Sequence, residues 1–345
     1  MRYRLLGKTG LYVSELCLGC MTFGGGKGRW KSIGMLTEAD AERLTAMAID
    51  AGVNFIDTAD VYAEGESERD LGSALASLAI SRDKIILATK VRGRTGPGPN
   101  EIGLSRGHIL SAVDASLKRL QTDYIDLYQI HGIDYDTPLE ETLHALDTVI
   151  HAGKVRYVGF CNLPAWFAMK ALAYADYHGL PRFISAQMYY SIAGRDIERE
   201  IVPLAREEGL AILPWSPLAG GLLSGKFDLR NPGPENARRS TFDFPPVDKT
   251  RAKAVLDVMR PIADRMGVSV ARVALAWMLT RRFVTSIIIG AKTVEQLSDN
   301  LAATDLELST EDTAALNEAS ALPREYPGWM LESQSSDRRP EKTFP

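Results

Sequence analysis

Ile85-Ile86-Leu87-Ala88-Thr89-Lys90, then Arg106 to Leu120 (RGHILSAVDASLKRL), then Tyr124-Ile125-Asp126-Leu127-Tyr128-Gln129-Ile130-His131: this stretch decides the architecture. Its ends are short apolar runs of strand length. Its middle places apolar residues at three- and four-residue spacing, the mark of an amphipathic helix. Outward from it, further apolar runs occur at Leu16–Gly19, Asn54–Asp57, Val155–Phe160, Phe183–Gln187, Leu210–Pro214 and Val284–Ile289. Helical patterns fall between them at Thr37–Ala51, Glu66–Leu78, Leu139–Ala152, Ala165–Tyr177, Ile197–Glu208, Val268–Leu279 and Val294–Leu301. Strand–helix alternation implies a parallel sheet, and eight such units fit a closed (β/α)8 barrel, the TIM-barrel class of α/β protein.

Most strand-to-strand steps are roughly 27 to 40 residues, close to one βαβ repeat. The step from Leu210–Pro214 to Val284–Ile289 is about 75 residues and holds a Pro/Gly-rich stretch, Asp228–Asp248, too irregular for an ordinary connection. It is expected to be a functional loop on the face that carries the site. Arg2–Leu6 and Tyr12–Leu16 around Lys8-Thr9-Gly10 read as a short N-terminal hairpin that could close the bottom of a barrel. A last helix, Glu311–Ser320, leads into a tail rich in Pro, Ser and charge. The expected organisation is one barrel domain over residues 1–322 and a C-terminal extension, 323–345, serving as a lid or partly disordered. Thr37 with Asp40 resembles a helix N-cap, and Gly52, Gly153, Gly179 and Gly209 stand where C-caps would.

Composition narrows the function classes. The 345 residues carry 40 Lys+Arg against 44 Asp+Glu, a formal net charge of −4, so there is no basic footprint for nucleic acid. The longest uncharged stretch, Gly209 to Gly225, is broken by Pro214, Pro217, Gly220 and Gly221 and cannot supply the ~20 apolar residues of a membrane span. The N-terminus MRYRLLGKTG has charges where a signal peptide needs an apolar core, so a cytoplasmic location is expected. Cys17, Cys20 and Cys161 are too few and odd in number for a disulfide framework, and the CxxC of Cys17 and Cys20 lies in a strand-like run rather than opening a helix.

Two nucleotide-binding signatures fail. A doubly wound sheet would show GxGxxG after its first strand, whereas Leu18 is followed by GCMTFGGGKG without that spacing. Gly220 to Phe227 (GGLLSGKF) satisfies G-x4-G-K, but Phe227 stands where a P-loop needs Ser or Thr for Mg²⁺.

In a barrel of this kind catalytic groups sit at the C-terminal ends of the strands. Those ends carry Asp57, with Tyr62 in the loop behind it, then Lys90 and His131. Alternation along strands lets Asp57, Lys90 and His131 lean into one mouth. Tyrosine has a reference pKa of ~10, and an adjacent ammonium favours its phenolate. Lys90 would supply that charge, Asp57 would hold Lys90, and His131 would polarise a substrate oxygen. A metal-dependent hydrolase would need more His and carboxylate ligands at these ends, so no metal is expected.

These residues resemble the aldo-keto reductases, in which Asp, Tyr, Lys and His form a catalytic tetrad on a (β/α)8 barrel. The resemblance runs from about Leu5 to Asn300 and is carried by LGKTGLYVSELCLGCMTFGG, NFIDTADVY, ILATK, YIDLYQIHGID, GKVRYVGFCN, PWSPLAGGLLSGK and GAKTVEQLSDN. It implies hydride transfer between NADPH/NADP+ and an aldehyde or ketone, without metal, with Tyr62 as proton donor. By the same resemblance Gly19, Cys20 and Met21 lie beside the nicotinamide ribose, Asp57 also belongs to the cofactor site, and Cys161, Asn162 and Gln187 grip the carboxamide. Trp215 stacks on the nicotinamide, and Ser216, Leu218, Gly220 and Lys226 match the diphosphate loop. Gly290, Ala291, Lys292, Gln296 and Asn300 match the adenosine end, where a helix N-terminus with Lys292 suits a 2′-phosphate.

The chain departs from the family in having Cys20 and Cys161 where hydroxyl residues are more frequent, which predicts looser carboxamide binding or oxidant-sensitive thiols. Trp30, Tyr135, Tyr190 and Trp329, in aromatic-rich loops, are expected to line the substrate pocket and to favour an apolar or aromatic carbonyl compound. A rival reading is a cofactor-binding, redox-sensing regulatory protein, since channel β-subunits resemble the same family. No nucleic-acid or membrane partner is expected.

Overall fold

The computed structural model describes residues 1–26, 30, 33–226, 239 and 242–338. An antiparallel hairpin of β1 (Tyr3–Leu5) and β2 (Tyr12–Ser14), registered Tyr3 to Ser14 and Leu5 to Tyr12, opens the chain. Eight parallel strands follow: β3 (Leu16–Gly19), β4 (Phe55–Asp57), β5 (Ile86–Val91), β6 (Ile125–Ile130), β7 (Val155–Cys161), β8 (Phe183–Tyr189), β9 (Ala211–Trp215) and β10 (Ile287–Ile289). Each pairs with the next from β3 to β9, and β10 pairs with β3. A parallel bridge from Ile212 to Val284 closes the ring between β9 and β10. This is the expected (β/α)8 barrel with its N-terminal hairpin.

Every residue of β5 and β6 is buried, because one face lines the bore and the other meets the helices. Phe55, Ile86, Ala88, Leu127, Leu213 and Ile288 fill the bore, and Leu6 and Val13 from the hairpin pack beneath them. The alternate residues, among them Leu16, Ile56, Leu87, Tyr128 and Phe160, face the helix ring. Two residues beyond Phe55, Ala88, Leu127 and Leu213 on the inner face stand Asp57, Lys90, Gln129 and Trp215. The apolar filling therefore gives way to polar groups at the C-terminal end of the strands.

The outer ring comprises α1 (Glu38–Asp50), α2 (Glu66–Ser77), α3 (Arg106–Leu120), α4 (Leu139–His151), α5 (Ala165–His178) and α6 (Ile201–Glu208), then α7 (Lys249–Met266), α8 (Val270–Leu279), α9 (Val294–Leu301) and α10 (Thr310–Ala319). Thr37 and Asp40 form a capping box at the start of α1, and Gly179 and Gly209 end α5 and α6 in left-handed geometry. Sequence reading misses α7. Its apolar residues Val255, Leu256, Met259, Ile262 and Ala263 are buried at helical spacing between an aspartate N-cap, Asp248, and a left-handed Gly267, but Pro261 lies inside and reads as a breaker.

Much of the 228–247 loop lies outside the described residues, as do 339–345. Within the tail, α11 (Gly328–Arg338) is helical. Among the described residues, no helix is long and apolar enough to cross a membrane.

Candidate active site

Asp57 ends β4, and the chain then turns back over the barrel mouth so that Tyr62 overlies Lys90. Directly after Tyr62 come three left-handed residues, Ala63 (φ 48), Glu64 (φ 60) and Gly65 (φ 92), which swing the backbone into α2. Lys90 Nζ donates to Asp57 Oδ1 at 2.5 Å, to the Thr58 carbonyl at 2.7 Å and to the Tyr62 hydroxyl at 3.2 Å. The other oxygen of Asp57 accepts from Gln129 Nε2 at 3.0 Å and Gln187 Nε2 at 2.9 Å. The His131 ring stands edge-on to Tyr62, 5.8 Å between centroids, and its backbone N–H donates to the Val91 carbonyl. The four residues expected to form a tetrad are thus brought together.

Sequence reasoning misses Gln129. It lies on the inner face two residues beyond Leu127, and that period of two is the signal that could have found it.

The Lys90 side chain is wholly buried. Burial pulls its pKa down, but Asp57 and then Tyr62 outweigh that, so its ammonium is held above its usual value. Tyr62 differs from expectation. Burial pushes its hydroxyl up to about 12, although Lys90 pulls the other way. Desolvating the phenolate costs more than one ammonium at 3.2 Å returns, so Tyr62 rests as a phenol. His131 is lowered to about 3 by burial, with Lys90 and Arg92 adding to it, and its ring is neutral at ordinary pH.

Around this centre, Trp215 Nε1 donates to Asn162 Oδ1 at 2.9 Å, and Asn162 (φ 54) keeps an exposed amide. The Phe244 ring is stacked on Trp215, 5.7 Å between centroids at an interplanar angle of 10°. Ser216 (φ 54) accepts from the Gly220 N–H at 2.9 Å, shaping a loop in which Leu218 is half-buried and Lys226 exposed. Arg239, which sequence reasoning also misses, braces that loop through the Ala219 carbonyl, the Pro245 carbonyl and Asp243.

Across the mouth, Gly19 packs so closely on Ile288 that a Cβ would fall 2.7 Å from its Cγ2. Met21 is half-buried, and Thr22 Oγ1 donates to the Ala291 carbonyl at 3.0 Å. Asn300 Nδ2 donates to the Gly290 carbonyl at 3.3 Å, and the Lys292 N–H donates to Gln296 Oε1 at 2.9 Å. Lys292, Thr293 and Glu295 line one hollow at the start of α9 with Arg43 and Asp40, which pair with each other at 2.5 Å. An aromatic at a strand end, a turn with left-handed glycines, and Lys292 at a helix start fit a phosphorylated dinucleotide.

Two expectations need correction, that of oxidant-sensitive thiols and that of Tyr190 at the pocket. Cys20 and Cys161 are fully buried, and burial raises both thiols above their usual range, so neither is primed for oxidation. Cys161 Sγ points at Gln129, 3.9 Å from Oε1. Gln187, expected at the carboxamide, donates from Nε2 to Asp57 Oδ2 at 2.9 Å and to Gln129 Oε1 at 3.2 Å. Tyr190 does not line the mouth: it is buried against Trp277 and Phe283, and its hydroxyl donates to Glu198. Alternation from Gln187 turns Tyr189 inward instead, 5.2 Å from Trp215.

Of the other pocket aromatics, Trp30 meets Tyr62 edge-on at 5.5 Å. Tyr135 is 82% exposed. Trp329 pairs with Tyr326 in the tail, which Arg199 ties down through Glu325 and the Pro323 carbonyl.

A (β/α)8 barrel with a buried Lys–Asp pair beneath a tyrosine and a histidine defines an acid–base site at the barrel mouth. The family model described as Aldo/keto reductase family matches residues 15–321. The chain is 39% identical over 326 residues to an uncharacterized oxidoreductase, YrpG, of Bacillus subtilis (strain 168), covering 92% of this chain and 95% of that one. It is 35% identical to versiconal hemiacetal acetate reductase of Aspergillus parasiticus, with 95% and 99% covered. It is also 37% identical to a probable voltage-gated potassium channel subunit beta of Arabidopsis thaliana, with 89% and 92% covered. The chain belongs to the aldo/keto reductase family, a family of oxidoreductases.

Proposed function

We propose that this protein reduces an aldehyde or ketone to the alcohol, reversibly, using NADPH. The observation that carries the reading is the 3.2 Å contact of Lys90 Nζ with the Tyr62 hydroxyl, beside a neutral His131. NADPH would be held by Trp215 and Asn162 at one end and by Lys292, Gln296 and Asn300 at the other, and would supply the hydride. Tyr62, protonated at rest, donates its proton to the carbonyl oxygen, and solvent restores it. Neutral His131 keeps an N–H with which to orient that oxygen. Lys90 favours the phenolate that the transfer leaves behind, and Asp57, held by Gln129 and Gln187, fixes Lys90. Lys292, at the start of α9, favours NADPH over NADH through the 2′-phosphate.

Turnover of 4-nitrobenzaldehyde, followed with NADPH and NADH side by side, tests the reading. Tyr62→Phe should lower kcat by about 10²–10⁴ while NADPH still binds, as expected for loss of a general acid. An unchanged kcat sinks the proposed role. The likeness to a probable channel β-subunit favours one rival, a cofactor-binding redox sensor. Tight NADPH binding with no multiple turnover on any carbonyl would select it.

A further inference from the structure

Arg92 follows the last residue of β5 and leaves the strand at φ 140, a conformation that side-chain-bearing residues rarely adopt. Main-chain bonds hold the chain there: His131 N–H donates to the Val91 carbonyl at 2.8 Å, and Gly103 N–H to the Arg92 carbonyl at 2.9 Å. The side chain then crosses the backbone at Gly132, where a Cβ would fall 3.6 Å from Arg92 Cδ and 3.7 Å from Nε. Nε donates to the Ile133 carbonyl at 2.7 Å. One N–H of the fork thus fixes the guanidinium on the loop directly after His131, and its charge contributes to the lowered pKa of that ring.

Neighbouring charges leave the fork available. Asp134, the carboxylate that feels Arg92, is occupied by the Leu104 N–H at 2.7 Å, Thr137 Oγ1 at 2.7 Å and the Asp136 N–H at 3.0 Å. Arg94 is folded back onto the carbonyls of Gly96 and Gly98. Among the described residues Arg92 makes no ion pair, and Nη1 and Nη2 make no hydrogen bond. A strained, anchored guanidinium beside the residue that would orient the carbonyl oxygen is arranged for planar, bidentate recognition.

We propose that Arg92 is a specificity-determining residue that binds a carboxylate on the carbonyl substrate, so that the preferred substrates are aldehydes or ketones carrying an acid group beyond the reacting carbon. This deepens the reductase reading and rests on it. The test compares 4-carboxybenzaldehyde with its methyl ester in wild type, Arg92→Met and Arg92→Lys. In wild type kcat/KM should favour the acid. Arg92→Met should reduce the acid-to-ester ratio about tenfold or more through KM, the scale of one charge-assisted pair, with Arg92→Lys between. A wild-type enzyme that prefers the ester, or a ratio that Arg92→Met leaves unchanged, overturns the proposal. Calorimetric binding of 4-carboxybenzyl alcohol to the dinucleotide-loaded protein reads the same contact without turnover. Affinity lost in Arg92→Met supports the carboxylate site even where the reductase reading fails, and equal affinity in both proteins overturns it.

Discussion

Lys90 is a cation with no exposed side-chain surface, and Asp57 contributes most to making that tolerable. Replacing it by Met leaves the Asp57 carboxylate buried with two amide donors and no counter-charge, a change that costs about 3–5 kcal/mol in comparable pairs. Urea denaturation should show a loss of that size for Lys90→Met, and a smaller one when Asp57→Leu is added. If the double variant is no better than the single, the pair is not coupled in this way.

The same residues set a pH response. Tyr62, raised to about 12 chiefly by burial, stays protonated across the working range, and His131, lowered to about 3, stays neutral. Reduction should therefore be flat between about pH 5 and 9, whereas alcohol oxidation, which needs the phenolate, should rise with pH toward the pKa. The kcat/KM profiles in both directions check this, and a reduction rate that falls through neutrality would show a far more acidic donor. Asp57, Tyr62, Lys90 and His131 are legible because strand ends and the loop behind them are where a barrel collects polar groups. Gln129 is not, since a glutamine within an apolar strand declares its side only once the bore residues are known. Tyr190 misleads because it lies just past the strand, where sequence alone does not say which of two adjacent tyrosines turns inward.

At the scale of elements, the segment that matters is the turn carrying Tyr62. It is tied from below by Ser67, whose hydroxyl lies 2.9 Å from Thr58 Oγ1 and donates to the Cys20 carbonyl at 2.7 Å. Glu68 joins it to the barrel by accepting from Thr89 and Arg119, both at 2.6 Å. From the sides it is gripped by two glycines. A Cβ on Gly24 would fall 2.1 Å from the Ala63 Cβ, and one on Gly93 would fall 2.1 Å from Val61 Cγ1. Gly24→Ala and Gly93→Ala should each push on this turn, costing about 1–3 kcal/mol as overpacking does and lowering kcat by moving Tyr62. Activity at a temperature where both variants remain folded separates the two effects, and full activity there would mean that the turn yields without displacing the tyrosine.

Ala63→Gly acts in the opposite sense. It relieves a left-handed alanine and should raise thermal stability by up to about 1 kcal/mol, read as a higher midpoint in thermal denaturation. Neither close approach is visible in sequence, which shows only that glycines are frequent near the site. The strands, in contrast, are readable from their apolar runs because most are buried on both faces. The helix α7 is hidden by Pro261, whose local penalty its buried stripe overrides.

At the scale of the whole molecule, a barrel must close, and closure here is uneven. β5 and β6 share four registered residue pairs, while β9 meets the segment before β10 through the single Ile212–Val284 bridge and the Thr285 N–H to Ile212 carbonyl bond at 2.9 Å. The hairpin compensates. Arg4 reaches across some 280 residues of chain to donate to the Val284 carbonyl at 2.5 Å, and to the Leu279 carbonyl at 3.1 Å. Ser286 Oγ donates to the Ser14 carbonyl at 2.6 Å, and the Ile287 N–H to that of Glu15 at 2.9 Å. The N-terminal segment is thus a clasp on the last strand as well as a plug under the bore, a role that no local pattern in MRYRLLGKTG could disclose. Arg4→Leu removes the side-chain arm of the clasp, keeps the Ser286–Ser14 and Ile287–Glu15 bonds, and keeps the plug, because Leu6 and Val13 are untouched. Amide exchange at Thr285, Ile287 and Ile288 should then accelerate at least tenfold while exchange in β5 and β6 changes little, since local opening of a weakly paired strand need not involve the rest. Turnover at 25 °C should persist, because Arg4 lies at the end of the barrel opposite Lys90 and Tyr62. If exchange in β5 and β6 rises in step with that at the seam, the barrel opens as one unit, and the hairpin stabilises all of it rather than its closure.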